Sequence, residues 1–185
     1  MSDKRKQILE TANRLFEAQG FNGTGVDQIS QESGVTKRTL YKQFGSKEGL
    51  IKEVLVDHHA RMFADIRSRI LTIDGSARDR LMACFEYYFD WFRSSRFCGC
   101  IFIKTLNELG GCSTELGCIA QNAKDTMRAF IARIAEEGGF SDPQRLAVEL
   151  QLLLEGSIVL AQAGNVEAVQ VAKEVAGLLI ENAEK

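Results

Sequence analysis

A short stretch near the N-terminus concentrates side chains able to hydrogen-bond in many directions: Thr36, Lys37, Arg38, Thr39, Tyr41, Lys42 and Gln43, followed by Lys47. Lysine and arginine neutralise phosphates. Arginine, glutamine, threonine and tyrosine can also meet the donors and acceptors on base edges. Leu40 and Phe44 stand four positions apart, so a helix here buries one stripe and presents the polar residues on the rest of its surface. The chemistry this pattern can do is recognition of double-stranded DNA. Thr24, farther upstream, admits two readings: a helix cap or a phosphate contact.

A second cluster is made of thiols: Cys98-Gly99-Cys100, Cys112 and Cys118, with Cys84 nearby in sequence. Five cysteines, an odd number, argue against a disulfide framework. The cluster admits three readings. One is a sensor of electrophiles or oxidants, for which Arg96, Lys104 and a helix start after Cys112 would lower a thiol pKa. Another is a soft-metal site, although the spacing matches no zinc ribbon or finger. The third is inert buried thiols. His58 and His59 are adjacent on a helix and point in different directions. No nucleophile elbow, phosphate-cradling glycine loop or HExxH pattern is present. A cysteine-dependent enzyme is therefore the unfavoured alternative, and neither a metal nor a cofactor is implied.

The elements that must position these groups are helices throughout. Ile8, Ala12, Leu15 and Phe16 form one apolar face of a first helix that stops at Gly20. Thr24-Gly25-Val26-Asp27 reads as a capping box opening a short second helix that ends at Gly34. A third short helix follows Thr36. Ser46 caps a long fourth helix, about Lys47 to Thr72, and Ser76 caps a fifth running to about Arg96. A short helix at Phe102–Leu109, a seventh over 113–137, an eighth with Pro143 in its first turn and a ninth after Gly164-Asn165 complete the pattern. The expectation is an all-α chain of about nine helices. Residues 1–55 form a DNA-binding head and residues 56–185 a helical body, with the boundary inside the fourth helix.

Composition agrees. The chain has 185 residues, one proline and 45% hydrophobic residues. The net charge of −2 at first speaks against DNA binding, but residues 1–55 carry +2 and the remainder −4. No apolar run is long enough to span a membrane, and the N-terminus lacks an apolar signal region, so a cytoplasmic protein is expected.

Thr24 to Leu50 is helix-turn-helix in logic. Ile29 and Val35 can pack on Leu40 and Phe44, Gly34 makes the turn, and small Ser30 and Ser33 let the helices approach. The segment resembles the TetR/AcrR family signature at Ile29, Gly34, Val35, Tyr41, Phe44, Ser46, Lys47, Glu48 and Leu50, and Phe16 and Gly20-Phe21 match the usual end of the first helix. Ser30 and Ser33 replace common alanines. Arg38 stands where glycine is common and Gln43 where histidine is common, both facing DNA in this reading.

The resemblance implies a homodimer that binds palindromic operator DNA through the third helix and is released by a small-molecule inducer. It further implies a four-helix interface built from the last two helices of each copy. Leu150, Leu153, Leu154, Ile158, Val175 and Leu179 are the candidates for that interface. It also implies a ligand cavity among the fifth to eighth helices, for which Tyr87, Tyr88, Trp91, Cys100, Phe102, Asn107 and Gln121 are the candidates. Core packing is the competing account of those aromatics.

Overall fold

A computed structural model describes residues 3–95, 97–111 and 113–184. Among them are nine α-helices and no strand: α1 (Asp3–Gln19), α2 (Val26–Ser33), α3 (Lys37–Phe44), α4 (Lys47–Leu71), α5 (Ala77–Arg93), α6 (Ile101–Glu108), α7 (Glu115–Glu137), α8 (Pro143–Gln162) and α9 (Ala168–Ala183). They gather into two compact units, Met1–Arg61 with Cys100–Ala123, and Met62–Gly99 with Lys124–Lys185. The first unit thus extends beyond residue 55 and takes in α6, while α4 and α7 each contribute residues to both.

In the first unit α1, α2 and α3 pack on one another. Ile8, Ala12, Leu15 and Phe16 are buried along α1 at helical spacing, and the Phe16 ring meets that of Phe21 in a tilted contact at 5.0 Å. Gly20 ends the helix at φ 77°, donating its N–H to the Phe16 carbonyl at 3.0 Å. Only glycine adopts this left-handed turn without strain, and a Cβ here would lie 2.5 Å from a Glu108 oxygen.

The loop that follows is held by charged side chains distant in sequence. One oxygen of Glu108, at the end of α6, accepts the backbone N–H groups of Phe21 and Asn22, each at 2.9 Å. The Lys47 ammonium donates to the Phe21 carbonyl at 2.7 Å, and Lys104 donates to the Glu17 carbonyl near the C-terminus of α1. These groups satisfy backbone donors and acceptors left over where a helix stops.

His58 on α4 faces the same unit. Its Nδ1 lies 3.0 Å from Asn13 Oδ1, and its ring meets Phe102 edge-on at 5.6 Å. Burial lowers its pKa from 6.5 to about 4, with the Arg61 charge adding to the effect. His58 is therefore neutral near pH 7, and Glu17 at 3.8 Å is not its ion-pair partner there.

In the second unit α5, α8 and α9 pack together. Ser76 and Asp79 form a reciprocal capping box at the start of α5, and Asp142 caps α8 ahead of Pro143. Leu81, Phe85, Leu146, Leu150, Leu154, Ile158, Val169, Ala176 and Ile180 are buried. Leu150, Leu154 and Ile158, expected at a contact between two copies, are thus interior residues of a single chain. Leu153 and Leu179 are half-buried, and of the six expected residues Val175 is exposed. The outward stripes consist, apart from Val175, of other residues: Val148, Leu152 and Val159 on α8, at i, i+4 and i+11, and Val171, Val175 and Leu178 on α9, at i, i+4 and i+7. Residues of α4 and α7 in this unit line a cleft of about 390 Å³ that includes Phe63, Arg67, Leu71, Phe130 and Arg133.

Two outcomes are expected. Glu108→Ala leaves the Phe21 and Asn22 amides without their charged acceptor and lowers unfolding free energy by about 2 kcal/mol in urea titrations. An unchanged midpoint contradicts the role given to Glu108. For His58 the neutral form is favoured in the fold, so between pH 6.5 and about 4 the unfolded chain binds the additional proton. Stability is lost as pH falls through that window, by on the order of 2–3 kcal/mol from this group. Melting curves of His58→Gln should show a shallower loss over the same range, and parallel pH profiles would exclude the assignment.

Candidate nucleic-acid interface

The turn between α2 and α3 is built by local hydrogen bonds. Gly34 takes φ 67° and donates to the Gln31 carbonyl, while Val35 N–H reaches back to the Ser30 carbonyl at 3.2 Å. The Ser30 hydroxyl donates to the Val35 carbonyl at 2.7 Å. Serine at this position is therefore more than a small residue that lets helices approach, because it ties α2 to the start of α3. Thr36 caps α3, its hydroxyl accepting the Thr39 N–H at 3.3 Å, and the two hydroxyls lie 3.0 Å apart. Gly45 and the Ser46 cap, which accepts the Gly49 N–H at 2.9 Å, then turn the chain into α4.

Leu40 and Phe44 anchor α3 as expected, and Arg5 lies over the Phe44 ring at 5.1 Å while pairing with Glu53 at 2.9 Å. Opposite the buried stripe, Arg38 and Lys42 are exposed, one helical turn apart. Among the described residues neither makes an ion pair or hydrogen bond. Tyr41, at 44% exposure, and exposed Gln43 flank them on either side. A helix of this diameter, with such an unpaired basic ridge, matches the width of a major groove.

Several other basic residues of the head are already engaged. Lys37 pairs with Asp27, and Arg14 pairs with Glu32 at 2.6 Å. Hydrogen bonds from Arg14 and Gln28 hold the Glu32 carboxyl below its ordinary range. Lys47 is tied to the Phe21 carbonyl, so in this conformation it serves the α1–α2 loop and not a phosphate.

Thr24 is a correction. It is fully buried, and its hydroxyl donates to the Gly20 carbonyl at 2.7 Å, leaving no surface for a phosphate. Nor does it cap α2, because the N-cap is Gly25 and makes no side-chain bond. The sequence signal mistaken for a capping box is a threonine turned into the core.

The residues expected to line a ligand cavity fall in both units. In the second, Tyr87 donates to Asp65 at 3.0 Å beneath the Arg69 guanidinium, and burial pushes its hydroxyl pKa upward. Tyr88 is buried and meets Trp91 and Phe92 edge-on. In the first, Phe102 is fully buried between the edges of His58 and His59, Asn107 is exposed and Gln121 half-buried. None of the seven lines the α4–α7 cleft of the second unit.

Cys100 is buried at 6% exposure, against the accessibility a sensing thiol needs. Cys84 is buried and its thiol pushed up to about 12 by desolvation, whereas Cys98 and Cys118 are exposed. Cys112 and Arg96 lie outside the described residues. Among those described, no group of three or more His, Cys, Asp or Glu side chains could hold a metal ion. No helix is long and apolar enough to cross a membrane.

Residues 8–54 match the family model described as bacterial regulatory proteins, tetR family. The chain is 34% identical over 89 residues to the transcriptional activator FasR of Mycolicibacterium smegmatis, a match covering 48% of this chain and 40% of FasR. It is 24% identical over 137 residues to the transcriptional repressor NemR of Escherichia coli, covering 74% of this chain and 69% of NemR. The crystal structure of a TetR-family transcriptional regulator from Streptomyces coelicolor superposes with a TM-score of 0.92 at 21% identity, over 100% of this chain and 98% of that one. TetR-family regulators bind operator DNA and act as dimers. An N-terminal segment that fits the tetR family model over residues 8–54 is thus joined to a fold shared over its whole length with a TetR-family structure.

Proposed function

We propose that the chain is a repressor that occupies a palindromic operator as a symmetric dimer and leaves it when a small molecule binds. The observation that carries the DNA contact is the unpaired Arg38–Lys42 ridge, flanked by Tyr41 and Gln43, on the face of α3 opposite its buried stripe. Repression is favoured over activation because the match to NemR, named a repressor, spans 74% of the chain, whereas that to FasR, named an activator, spans 48%. The dimer is supported by the outward stripes of α8 and α9. There Leu152 is 73% and Leu178 62% exposed, surface that a chain in water gains by covering. α4 has 25 residues, a length of about 37 Å. A tilt of it on ligand binding would alter the spacing of the two recognition helices, to which two half-sites are sensitive. A thiol-based trigger is the second reading. It rests on exposed Cys98 and Cys118, with Cys100 buried.

In gel-shift titrations, Lys42→Ala should weaken binding to operator and unrelated DNA alike and lower the salt slope by about one. Tyr41→Ala and Arg38→Ala should each cost about 1–3 kcal/mol on operator and much less on unrelated DNA. Unchanged affinity in all three variants would overturn the interface. Replacing Leu152 and Leu178 together by Glu should give a monomer in sedimentation velocity, with operator affinity reduced at least tenfold. A dimer that survives both charges would remove α8 and α9 from the contact.

A further inference from the structure

We infer that the cleft between α4 and α7 in the second unit binds an amphipathic monoanion, a molecule with one acidic head and an apolar tail. This rests on the reading that the regulator responds to a small molecule, and it names that molecule's chemical class and place.

The floor of the cleft is apolar. Phe130 and Ile134 are buried at its base, and Phe63 and Leu71 form one wall. Phe63 and Phe130 meet edge-to-face at 5.6 Å, and both line the cleft. Phe63, Arg67 and Leu71 are spaced by four along α4, so the wall runs about 12 Å, enough for a medium-length acyl or phenylalkyl tail. The volume of about 390 Å³ is that of a small-molecule site.

The charge of the lining selects the head. Three ionised groups border the cleft: Arg67, Arg133 and Glu137. Arg133 is paired with Glu137 at 3.0 Å and the two cancel. Arg67 has no ion pair or hydrogen bond among the described residues. The cleft therefore offers one uncompensated guanidinium beside an apolar trough. A carboxylate can take two parallel hydrogen bonds from it while its tail covers Phe63, Phe130, Leu71 and Ile134. A cation would meet Arg67 unfavourably, and a neutral tail would leave it unused. The aromatic residues Tyr87, Tyr88 and Trp91 take no part in this lining.

The test is calorimetric titration of the full chain with decanoate and 4-phenylbutyrate, below concentrations at which either aggregates, with 1-decanol as the uncharged control. Saturable binding of at least one acid at one molecule per chain is expected, with 1-decanol at least tenfold weaker. Arg67→Gln should weaken the acid at least tenfold. Ala129→Trp, which fills the cleft from an exposed position, should abolish binding while leaving the melting temperature and ligand-free operator affinity unchanged. No saturable binding of either acid, equal binding of the alcohol, or full binding by the two variants would overturn the proposal and leave operator binding, measured on the same samples, untouched. Acid binding that passes these controls yet fails to release operator supports the cleft and counts against release by ligand.

Discussion

The Glu108 carboxylate on the Phe21 and Asn22 amides is the contact on which the DNA-binding head depends most. Where α1 stops at Gly20 the chain has amides with no helical acceptor and carbonyls with no helical donor. Local turn chemistry meets part of this need, through the Gly20 conformation and the inward Thr24 hydroxyl. The remainder comes from α6 and α4, as Glu108 supplies the acceptor and Lys104 and Lys47 supply donors to Glu17 and Phe21. The direction in which α2 leaves α1 follows from this loop, and the presentation of α3 follows from α2. A residue 87 positions away thus belongs to the DNA-binding unit as fully as the helix-turn-helix itself.

This arrangement divides the basic residues by task. Lys47 and Lys104 hold backbone, Arg5 holds Phe44 and Glu53, and Arg14 and Lys37 are matched by Glu32 and Asp27. On α3, Arg38 and Lys42 are left for an outside partner. The exposed pairs each contribute little to stability, and their effect is to cancel charge around the ridge. Lys37 would have to exchange Asp27 for a phosphate, so its net contribution to affinity should be smaller than that of Lys42.

Much of the head was legible in the sequence because its determinants are local. Gly34, Thr36, Ser46 and the Leu40–Phe44 spacing each specify a turn, a cap or a buried stripe within a few residues, and they agree with one another. Thr24 misled because capping and inward hydrogen bonding ask for the same side chain. The Glu108 contact was illegible for the opposite reason, since no pattern along a chain pairs a carboxylate with amides 86 and 87 residues away. On α8 the difficulty was excess of signal. Apolar residues surround much of that helix, so periodicity admits either Leu150–Leu154–Ile158 or Val148–Leu152–Val159 as the inner face. Only packing against α5 and α9 decides for the former. The aromatics of α5 were ambiguous in the same way, and edge-to-face packing of Tyr88, Trp91 and Phe92 accounts for them within the second unit.

That α3 reads DNA through its Arg38–Lys42 face is tested most directly by selecting bound duplexes from a random pool with the full chain and sequencing them. The account requires an enriched inverted repeat whose half-sites are centred about one helical turn, or a multiple of it, apart. Repeating the selection with Arg38→Ala and Gln43→Ala should change base preference at defined positions within each half-site while keeping the dyad. The same motif recovered from wild type and both variants, or no enriched sequence from any of them, would contradict the assignment of this face as the reading surface.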